Sequence, residues 1–146
     1  MLLAAILPAS ARLGETENQL VVRYGQETGK ADAEDPDAPI AIRILTFHKS
    51  GFRIMVTLFH DVSAKENVGR DNDFDVWPER LIKSMLAVYS QGQTWRIMSN
   101  GGWQRDDGTT ASYKFPRGFQ VKSRGLIDAE EASKRRPQPS ENPEGF

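Results

Sequence analysis

The strongest structural signal in this chain is a pair of β-rich segments joined through a glycine. Residues 40–48 and 52–60 are rich in Ile, Val, Phe and Thr, and Lys49-Ser50-Gly51 separates them. A three-residue loop that ends in glycine is typical of a type I turn closed by a bulge, because glycine adopts a positive φ without steric cost. We therefore predict an antiparallel hairpin. Its opposed pairs are Ile42 and Leu58, Ile44 and Val56, and Thr46 and Ile54.

This register divides the side chains of the hairpin between two faces. The face that holds the paired aliphatic residues is predicted to be core, and helices are expected to cover it. The opposite face mixes basic, aromatic and aliphatic side chains, and exposed Arg and aromatic residues often dominate protein interfaces. We predict that this second face is an interaction surface for another protein. It comprises Arg43, Phe47, Arg53, Met55 and Phe59.

Two helices are predicted, one before each group of strands. Thr16 and Gln19 have the spacing of a capping box, and Gly25 stands where a left-handed residue ends a helix. A helix is therefore expected at about residues 17–24. Pro78 suits a first helical position, and the apolar residues after it recur at helical spacing, which predicts the second helix.

The second half of the chain repeats the order of helix and strands. The turn Asp106-Asp107-Gly108 is interpreted as a three-residue turn that places Trp103 opposite Ala111. Residues 14–126 are predicted to form a single α+β domain. We expect an antiparallel sheet of about five strands with two helices packed on one face, built as two helix-then-hairpin units. The strands of the second half are predicted at 94–98, 103–105, 109–115 and 119–123.

Three polar segments flank these elements. Residues 26–39 are polar and acidic, and a surface loop is predicted there. Residues 127–136 run from acidic to basic, as suits a solvent-exposed helix. Residues 137–146 have almost nothing to bury and are predicted to be disordered.

The composition limits the classes of function. The chain has 146 residues, the length of one domain, and 38% of them are hydrophobic. Its 19 basic and 20 acidic residues give a net charge of -1, which argues against a histone-like or ribosomal protein. Cysteine is absent, which excludes disulfides, thiolate zinc sites and a cysteine nucleophile.

Residues 1–11 have features of a signal peptide for export. Residues 2–7 are apolar, and Ala9-Ser10-Ala11 has the small-x-small pattern of a cleavage site. The run is too short to cross a bilayer, which needs about 20 apolar residues. We expect an exported protein, periplasmic or secreted, without a membrane span. Because no basic residue precedes the apolar run, the alternative is a cytoplasmic protein in which this segment is frayed or docked.

The first half resembles known exported modules. The segment Arg23-Tyr24-Gly25 ends the predicted helix, and Gly51-Phe52-Arg53-Ile54 opens the second strand of the hairpin. This arrangement is similar to the helix-plus-sheet modules of bacterial envelope lipoproteins and beta-lactamase inhibitor proteins. It also resembles other exported bacterial proteins with an Arg-Tyr-Gly motif before such a hairpin. The resemblance implies protein binding or an envelope role rather than catalysis. The chain departs from the lipoproteins because it lacks the anchoring cysteine.

The sequence offers no assembled catalytic group. His48 and His60 lie at opposite ends of the predicted hairpin, roughly 27 Å apart at ~3.4 Å per residue, too far to share a metal or form a dyad. No serine lies in a Gly-x-Ser-x-Gly elbow, and no phosphate-binding loop or dinucleotide fingerprint occurs. We therefore expect no enzyme activity and no cofactor.

One acidic cluster has the residue types of a calcium loop. The carboxylates of Asp71, Asp73 and Asp75 alternate, and calcium prefers oxygen ligands. The loop pattern fails because its sixth position is Val76 rather than glycine and its twelfth is Ile82 rather than glutamate. We predict a solvated loop and no metal site.

The alternative function is polyanion or glycan binding through the C-terminal half. Aromatic side chains interleave with the basic ones there, but Trp103, Tyr113 and Phe115 share one face and are expected to be buried. The charges would then point outward, without a specific nucleic acid partner. The basic residues of this candidate site are Arg96, Arg105, Lys114, Arg117, Lys122 and Arg124.

Overall fold

The computed structural model describes residues 12–71 and 75–135. The predicted export signal, the predicted disordered tail and residues 72–74 of the acidic loop lie outside the described residues. None of the described helices has the length and hydrophobicity needed to cross a bilayer. The described elements, in chain order, are α1 (Glu17–Tyr24), β1 (Gly29–Glu34), β2 (Ala41–Lys49), β3 (Phe52–Phe59), β4 (Val62–Arg70), α2 (Glu79–Val88), β5 (Arg96–Ile97), β6 (Trp103–Gln104), β7 (Thr110–Lys114), β8 (Gly118–Lys122) and α3 (Arg124–Arg135).

The described strands form a single antiparallel sheet in the order β1-β2-β3-β4-β8-β7-β6-β5. A helix followed by a four-stranded meander occurs twice, and the two meanders join where β4 pairs with β8. The α+β class with an antiparallel sheet is therefore confirmed. The finer prediction is corrected. The described residues form eight strands rather than about five, and three helices rather than two. The repeated unit is a helix with a four-stranded meander rather than a helix with a hairpin.

The strands β1 and β4 lack the apolar alternation that predicts a strand. β1 lies within residues 26–39, where a loop is predicted, and it is an edge strand paired only with β2. Its side chains are mostly exposed, so it needs no apolar residues. β4 is central but carries Lys65, Asn67 and Gly69 on one face and Glu66 on the other.

The first hairpin differs from the prediction by one residue in its register. Ser50 has a φ of 55° and Gly51 a φ of 84°, so the turn has two residues rather than three, as in a type I′ turn. A shift of one residue exchanges the two faces of a strand, which moves Phe47 from the predicted outer face into the core. The observed pairs are Arg43 with Leu58, Leu45 with Val56, Thr46 with Met55 and Phe47 with Ile54, and the predicted pairs are wrong.

Helices α1 and α2 cover one face of the sheet. The capping box between Thr16 and Gln19 forms as predicted, and Leu20 and Tyr24 of α1 are buried. Met85 of α2 is buried with them. The strands contribute Leu45, Phe47, Ile54, Val56, Leu58, Val68, Ala111, Phe119 and Val121 to the same core.

The second meander follows the predicted register. Trp103 pairs with Ala111, which confirms the three-residue turn before β7. The sequence pattern predicts Phe115 on the buried face, and this prediction is wrong because Phe115 is 51% exposed. The strand ends at Lys114, so the alternation that would bury Phe115 does not extend to it.

Helix α3 packs against the other face of the sheet. Its Leu126 and Glu130 are buried, which corrects the prediction of a solvent-exposed helix at residues 127–136. Lys122 Nζ of β8 donates to Glu130 Oε1 at 2.9 Å and to Asp37 Oδ2 at 3.2 Å. These contacts join α3 and the loop after β1 to the sheet. The part of this face over β3, β4, β8 and β7 contains an open groove.

Candidate functional site

The groove has a volume of about 510 Å³ and lies across two rows of neighbouring residues. Each row takes one residue from each of the four strands, in the order β3, β4, β8, β7. The first row consists of Met55, Asn67, Gln120 and Ser112. The second row consists of Arg53, Gly69, Gly118 and Lys114.

Two glycines of neighbouring strands line the middle of the groove, and the one in β4 leaves it open while the one in β8 lets the two strands approach each other closely. A Cβ at Gly69 would meet only Arg53 Nη2, at 3.8 Å, so the space above this residue is open. Gly118 has a φ of 94°, and a Cβ there would overlap the Val68 carbonyl oxygen. The side chains of Arg53 and Lys114 flank this trough. Their strands are three strand spacings apart, roughly 14 Å.

Four cationic side chains line the groove, namely Arg53, Lys65, Lys114 and Arg117. Within residues 12–71 and 75–135, none of the four forms an ion pair. Lys65 lacks such a partner even though only 5% of it is exposed. Removing a cation from water is costly unless an anion compensates for the lost hydration. The groove therefore presents positive charge that a ligand can neutralise.

An accessible hydrogen-bond acceptor also lies at the rim of the groove, whereas the oxygen of Asn67 is enclosed. Asn67 Oδ1 is buried and has no donor among the described residues. Asp37 lies at the rim, and its hydrogen bond from Lys122 holds the pKa of the Asp37 carboxyl below its usual value. The Asp37 side chain is 54% exposed, so an anionic acceptor remains accessible beside the cations.

The structure divides the predicted protein-interaction surface between the two faces. Arg43 pairs with Asp32 at 2.9 Å, and Phe47 is fully buried against Tyr24. Neither belongs to an open sheet face, because the observed register turns both toward the helices. Arg53 and Met55 lie in the groove.

The fifth residue of that surface, Phe59, lies at the far end of β3. It is half-buried and stacks on His60, with 3.9 Å between the ring centroids. It does not line the groove.

The six residues of the predicted polyanion site are also divided. Arg105 is 3% exposed and binds Asp107 at 2.6 Å and the Tyr89 carbonyl oxygen at 2.7 Å. Lys122 is likewise buried, within the ion pairs of α3. Both therefore hold the fold together and are not available to a ligand.

Two other members of the predicted polyanion site have acidic partners at the surface. Arg96 lies 3.8 Å from Asp106, and Arg124 lies 2.7 Å from Asp128. Lys114 and Arg117 are the members that reach the groove, where the structure adds Arg53 to them.

Sequence reasoning missed Lys65, Asn67, Gly69, Gly118 and Gln120. The first three belong to β4, whose polar composition hides a strand. The available signal was the alternation of Ala64, Glu66 and Val68 with these polar residues, but Glu66 interrupts the apolar side of that pattern.

A second polar cluster lies inside the core. Glu66 is fully buried, and its Oε1 accepts hydrogen bonds from Tyr24 at 2.6 Å and Tyr89 at 2.7 Å. Glu66 Oε2 has no partner among the described residues. Burial raises the pKa of Glu66 to about 7. Without exposed surface this carboxyl cannot contact a ligand, and it joins α1 and α2 to the sheet.

A third cluster brings together the carboxylates of Asp35, Asp37 and Glu130 within 4.8 Å of one another. Lys122 Nζ contacts two of them, so an ammonium group already supplies positive charge there. The cluster is part of the attachment of α3.

The histidines lie at opposite ends of the first hairpin, as predicted. His48 Nδ1 lies 2.9 Å from Asp71 Oδ1, and His60 stacks on Phe59. The central residues of the candidate calcium loop, 72–74, lie outside the described residues.

Comparison of the chain with protein-family models, with curated proteins and with solved structures finds no match. The groove must therefore be interpreted from its own chemistry.

Proposed function

We propose that this protein is a non-enzymatic binding module whose groove takes an anionic ligand. The observation that carries the proposal is Lys65, a buried lysine without an ion-pair partner in the described residues, in a groove that also holds Arg53, Lys114 and Arg117. Asp37 interacts with Lys65 through its charge but forms no ion pair with it, and an anion in the groove would supply that ion-pair partner.

The geometry favours an anion over a protein docked on the first hairpin. The docking hypothesis requires Arg43 and Phe47 on one open face with Arg53, and the observed register separates them. Among residues 12–71 and 75–135, Met55 is the one large apolar side chain that lines the groove, whereas stable protein interfaces usually have an apolar or aromatic centre.

The groove is also unlike a site for single-stranded nucleic acid. Such sites stack bases on aromatic side chains, and none of the described residues that line this groove is aromatic. Trp103 and Tyr113 pack against the core on the opposite face. This composition favours a ligand held by charge and hydrogen bonds.

The experiment is retention on a heparin column with increasing salt. We expect the wild-type protein to bind at low salt and to elute early as salt rises, because phosphate or sulfate contacts by Lys and Arg are strongly salt-dependent. The double variant Lys114→Glu with Arg117→Glu should pass through the column at every salt concentration.

The matched control is Lys83→Glu, a reversal of an exposed charge on α2, on the opposite side of the sheet. This variant also replaces a basic residue by glutamate, but at a position away from the groove. The heparin column should therefore retain it almost as well as the wild-type protein. A wild-type protein that flows through at low salt, or a double variant retained like the control, would contradict the proposal.

A further inference from the structure

The strand β1 forms one edge of the sheet. Within the described part of the chain it pairs with β2 alone, with Ala31 opposite Ile44 and Ala33 opposite Ile42. The strand at the opposite edge, β5, has only two residues, whereas β1 has six. The unpaired amide and carbonyl groups of an edge strand can pair with a further strand. The outer side of β1 is therefore a candidate interaction surface.

The hydrogen bonds to β2 show which residues of β1 direct their backbone groups outward. The Asp35 amide donates to the Ile40 carbonyl oxygen at 2.8 Å, and this pair continues the register of β1 with β2. In an antiparallel pair, every second residue bonds to the partner strand. Positions 33 and 31 therefore bond to β2 as Asp35 does. The residues of β1 that direct their amide and carbonyl groups away from the sheet are Lys30, Asp32 and Glu34.

The charges on this edge select one register for a second copy of the chain. In a pairing about a two-fold axis, a register centred on a charged residue places that residue opposite itself. A register centred on Ala33 places Asp32 opposite Glu34. A register centred on Ala31 instead places Lys30 opposite Asp32 of the second copy, at two symmetric positions. Of the registers centred within residues 30–34, this is the one without opposed like charges.

The side chains at these positions suit that register. Lys30 contacts Glu17 at 2.8 Å and Asp32 contacts Arg43 at 2.9 Å, and both contacts lie at the surface. The Asp32 side chain is 79% exposed, so it has room for a second cation. Ala31 would face its own copy at the axis, where the strands approach most closely, and its methyl group is small enough for that position. The edge is therefore complementary to itself in charge and size.

From these observations we infer that β1 is a dimerisation edge, on which a second copy of this chain pairs antiparallel about a two-fold axis at Ala31. Paired residues of antiparallel strands point to the same side. The two sheets therefore become one continuous sheet, and both grooves open on the same side of it. This inference concerns a surface apart from the groove and does not depend on the ligand. The contact is small, so we expect a dissociation constant in the micromolar range.

The test is sedimentation velocity of the full chain over a series of concentrations. The wild-type protein should change from monomer to dimer as its concentration rises. Lys30→Asp and Asp32→Lys each place like charges opposite one another at both positions, and each should weaken self-association by about tenfold or more. The matched control is Lys83→Asp on α2, which also removes an exposed ion pair and should dimerise like the wild type.

Mixing the two single variants tests the register itself. In the mixed dimer the new carboxylate at position 30 faces the new ammonium group at position 32, and the native Asp32 faces the native Lys30. We expect the mixture to form a heterodimer about as stable as the wild-type dimer. The double variant Lys30→Asp with Asp32→Lys should likewise dimerise by itself. Circular dichroism checks that each variant keeps its sheet.

A backbone variant tests the edge independently of charge. Asp32→Pro removes an outward amide that would donate to the second copy, and it leaves the bonds of positions 31 and 33 to β2 in place, as edge strands tolerate. This variant should abolish dimerisation. Asp32→Ala, which removes the charge alone, should weaken it by a smaller factor.

Several results would overturn the inference. A wild-type protein that stays monomeric at roughly 1 mM would show that this edge does not take a second copy. A dimer that Lys30→Asp and Asp32→Pro leave unchanged would lie elsewhere on the molecule. If the folded single variants stay monomeric when mixed, and the double variant does so too, the register centred on Ala31 is wrong.

Discussion

Glu66 is the residue whose environment departs furthest from what its side chain prefers in water. The carboxyl is fully buried between Tyr24 and Tyr89, and one of its oxygens lacks a partner among the described residues. Burial disfavours the charged form and raises the pKa to about 7, while the two tyrosine hydrogen bonds oppose that shift. The residue thus links the stability of the core to pH.

The sign of that linkage follows from the raised pKa. The folded protein keeps the proton of Glu66 up to about pH 7, whereas the unfolded chain releases it near 4.5. The stabilisation is fully present below the lower value and is lost as pH rises to the higher one. We expect this residue to contribute a loss of about 3 kcal/mol in the free energy of unfolding between pH 4.5 and about pH 8.

The variant Glu66→Gln removes the titrating group and should remove this contribution to the pH dependence. Urea unfolding at the two pH values measures it for both proteins. The control is Glu131→Gln, whose side chain is exposed on α3 and whose pH dependence should match the wild type. If the difference between wild type and Glu66→Gln is the same at both pH values, the buried carboxyl does not titrate in this range.

Among the elements, the turn between β2 and β3 has the largest consequence for the site. Two successive residues of positive φ, Ser50 and Gly51, set a register in which Arg53 and Met55 face the groove. The left-handed conformation of Ser50 is unfavourable for a residue with a Cβ, at roughly 1–2 kcal/mol.

We therefore expect Ser50→Gly to stabilise the protein by about 0.5 kcal/mol, because relief of that strain exceeds the added entropy of the unfolded chain. In a three-residue turn Ser50 would have a negative φ, and the same change would destabilise. Ser99→Gly, at a position without positive φ, is the control and should destabilise slightly. The midpoint of urea unfolding reports the sign in each case.

The attachment of α3 depends on a buried ion pair between Lys122 and Glu130. Lys122→Met leaves Glu130 buried without its cation and should cost about 3 kcal/mol in the free energy of unfolding. The double variant Lys122→Met with Glu130→Leu should recover most of that loss, since an apolar pair replaces the ionic one.

A matched comparison uses the exposed pair of Arg135 and Glu131 on the same helix. Arg135→Ala should change the free energy of unfolding by less than about 0.5 kcal/mol. Additive losses in the Lys122 and Glu130 double variant would show that the two side chains do not act as a pair. Denaturant unfolding of five proteins distinguishes these cases: the wild type, Lys122→Met, Glu130→Leu, their double variant and Arg135→Ala.

At the scale of the whole molecule, one sheet and one core join the two halves of the chain. Glu66 binds Tyr24 of α1 and Tyr89 of α2, and β4 pairs with β8. Because the hydrophobic cluster includes residues of both meanders, neither meander has a separate core. The described part of the chain should therefore unfold in one transition.

Phe47→Ala tests this cooperativity from the first half. The buried ring leaves a cavity, and the expected loss is about 3–5 kcal/mol. All three tryptophans belong to residues 77–103, in the second half. Their fluorescence transition should nevertheless shift by the same amount as the far-ultraviolet circular dichroism transition.

The control is Phe115→Ala, at a side chain that is 51% exposed. Its free energy of unfolding should stay within about 0.5 kcal/mol of the wild-type value. Separate transitions in the two signals would indicate independent halves.

The sequence predicted those elements whose signals are local. The capping box at Thr16, the helix after Pro78 and the pairing of Trp103 with Ala111 are all confirmed. Each rests on a spacing of a few residues, which the chain carries wherever it folds. The candidate site was predictable only in fragments, since Arg53 and Met55 were assigned to one surface and Lys114 and Arg117 to another.

The sequence by itself determined that this chain is α+β with an antiparallel sheet. It also determined where most of the helices and turns lie, because capping, periodicity and turn chemistry act between residues that are close in the chain. Only the tertiary structure decided which strand face is buried, that polar β4 is central, and that it lies beside β8. Those outcomes depend on pairing between distant segments and on what covers each face. A single-residue change in register was enough to exchange the faces of β2, which buries Phe47 on the helix side and leaves Arg53 on the groove side.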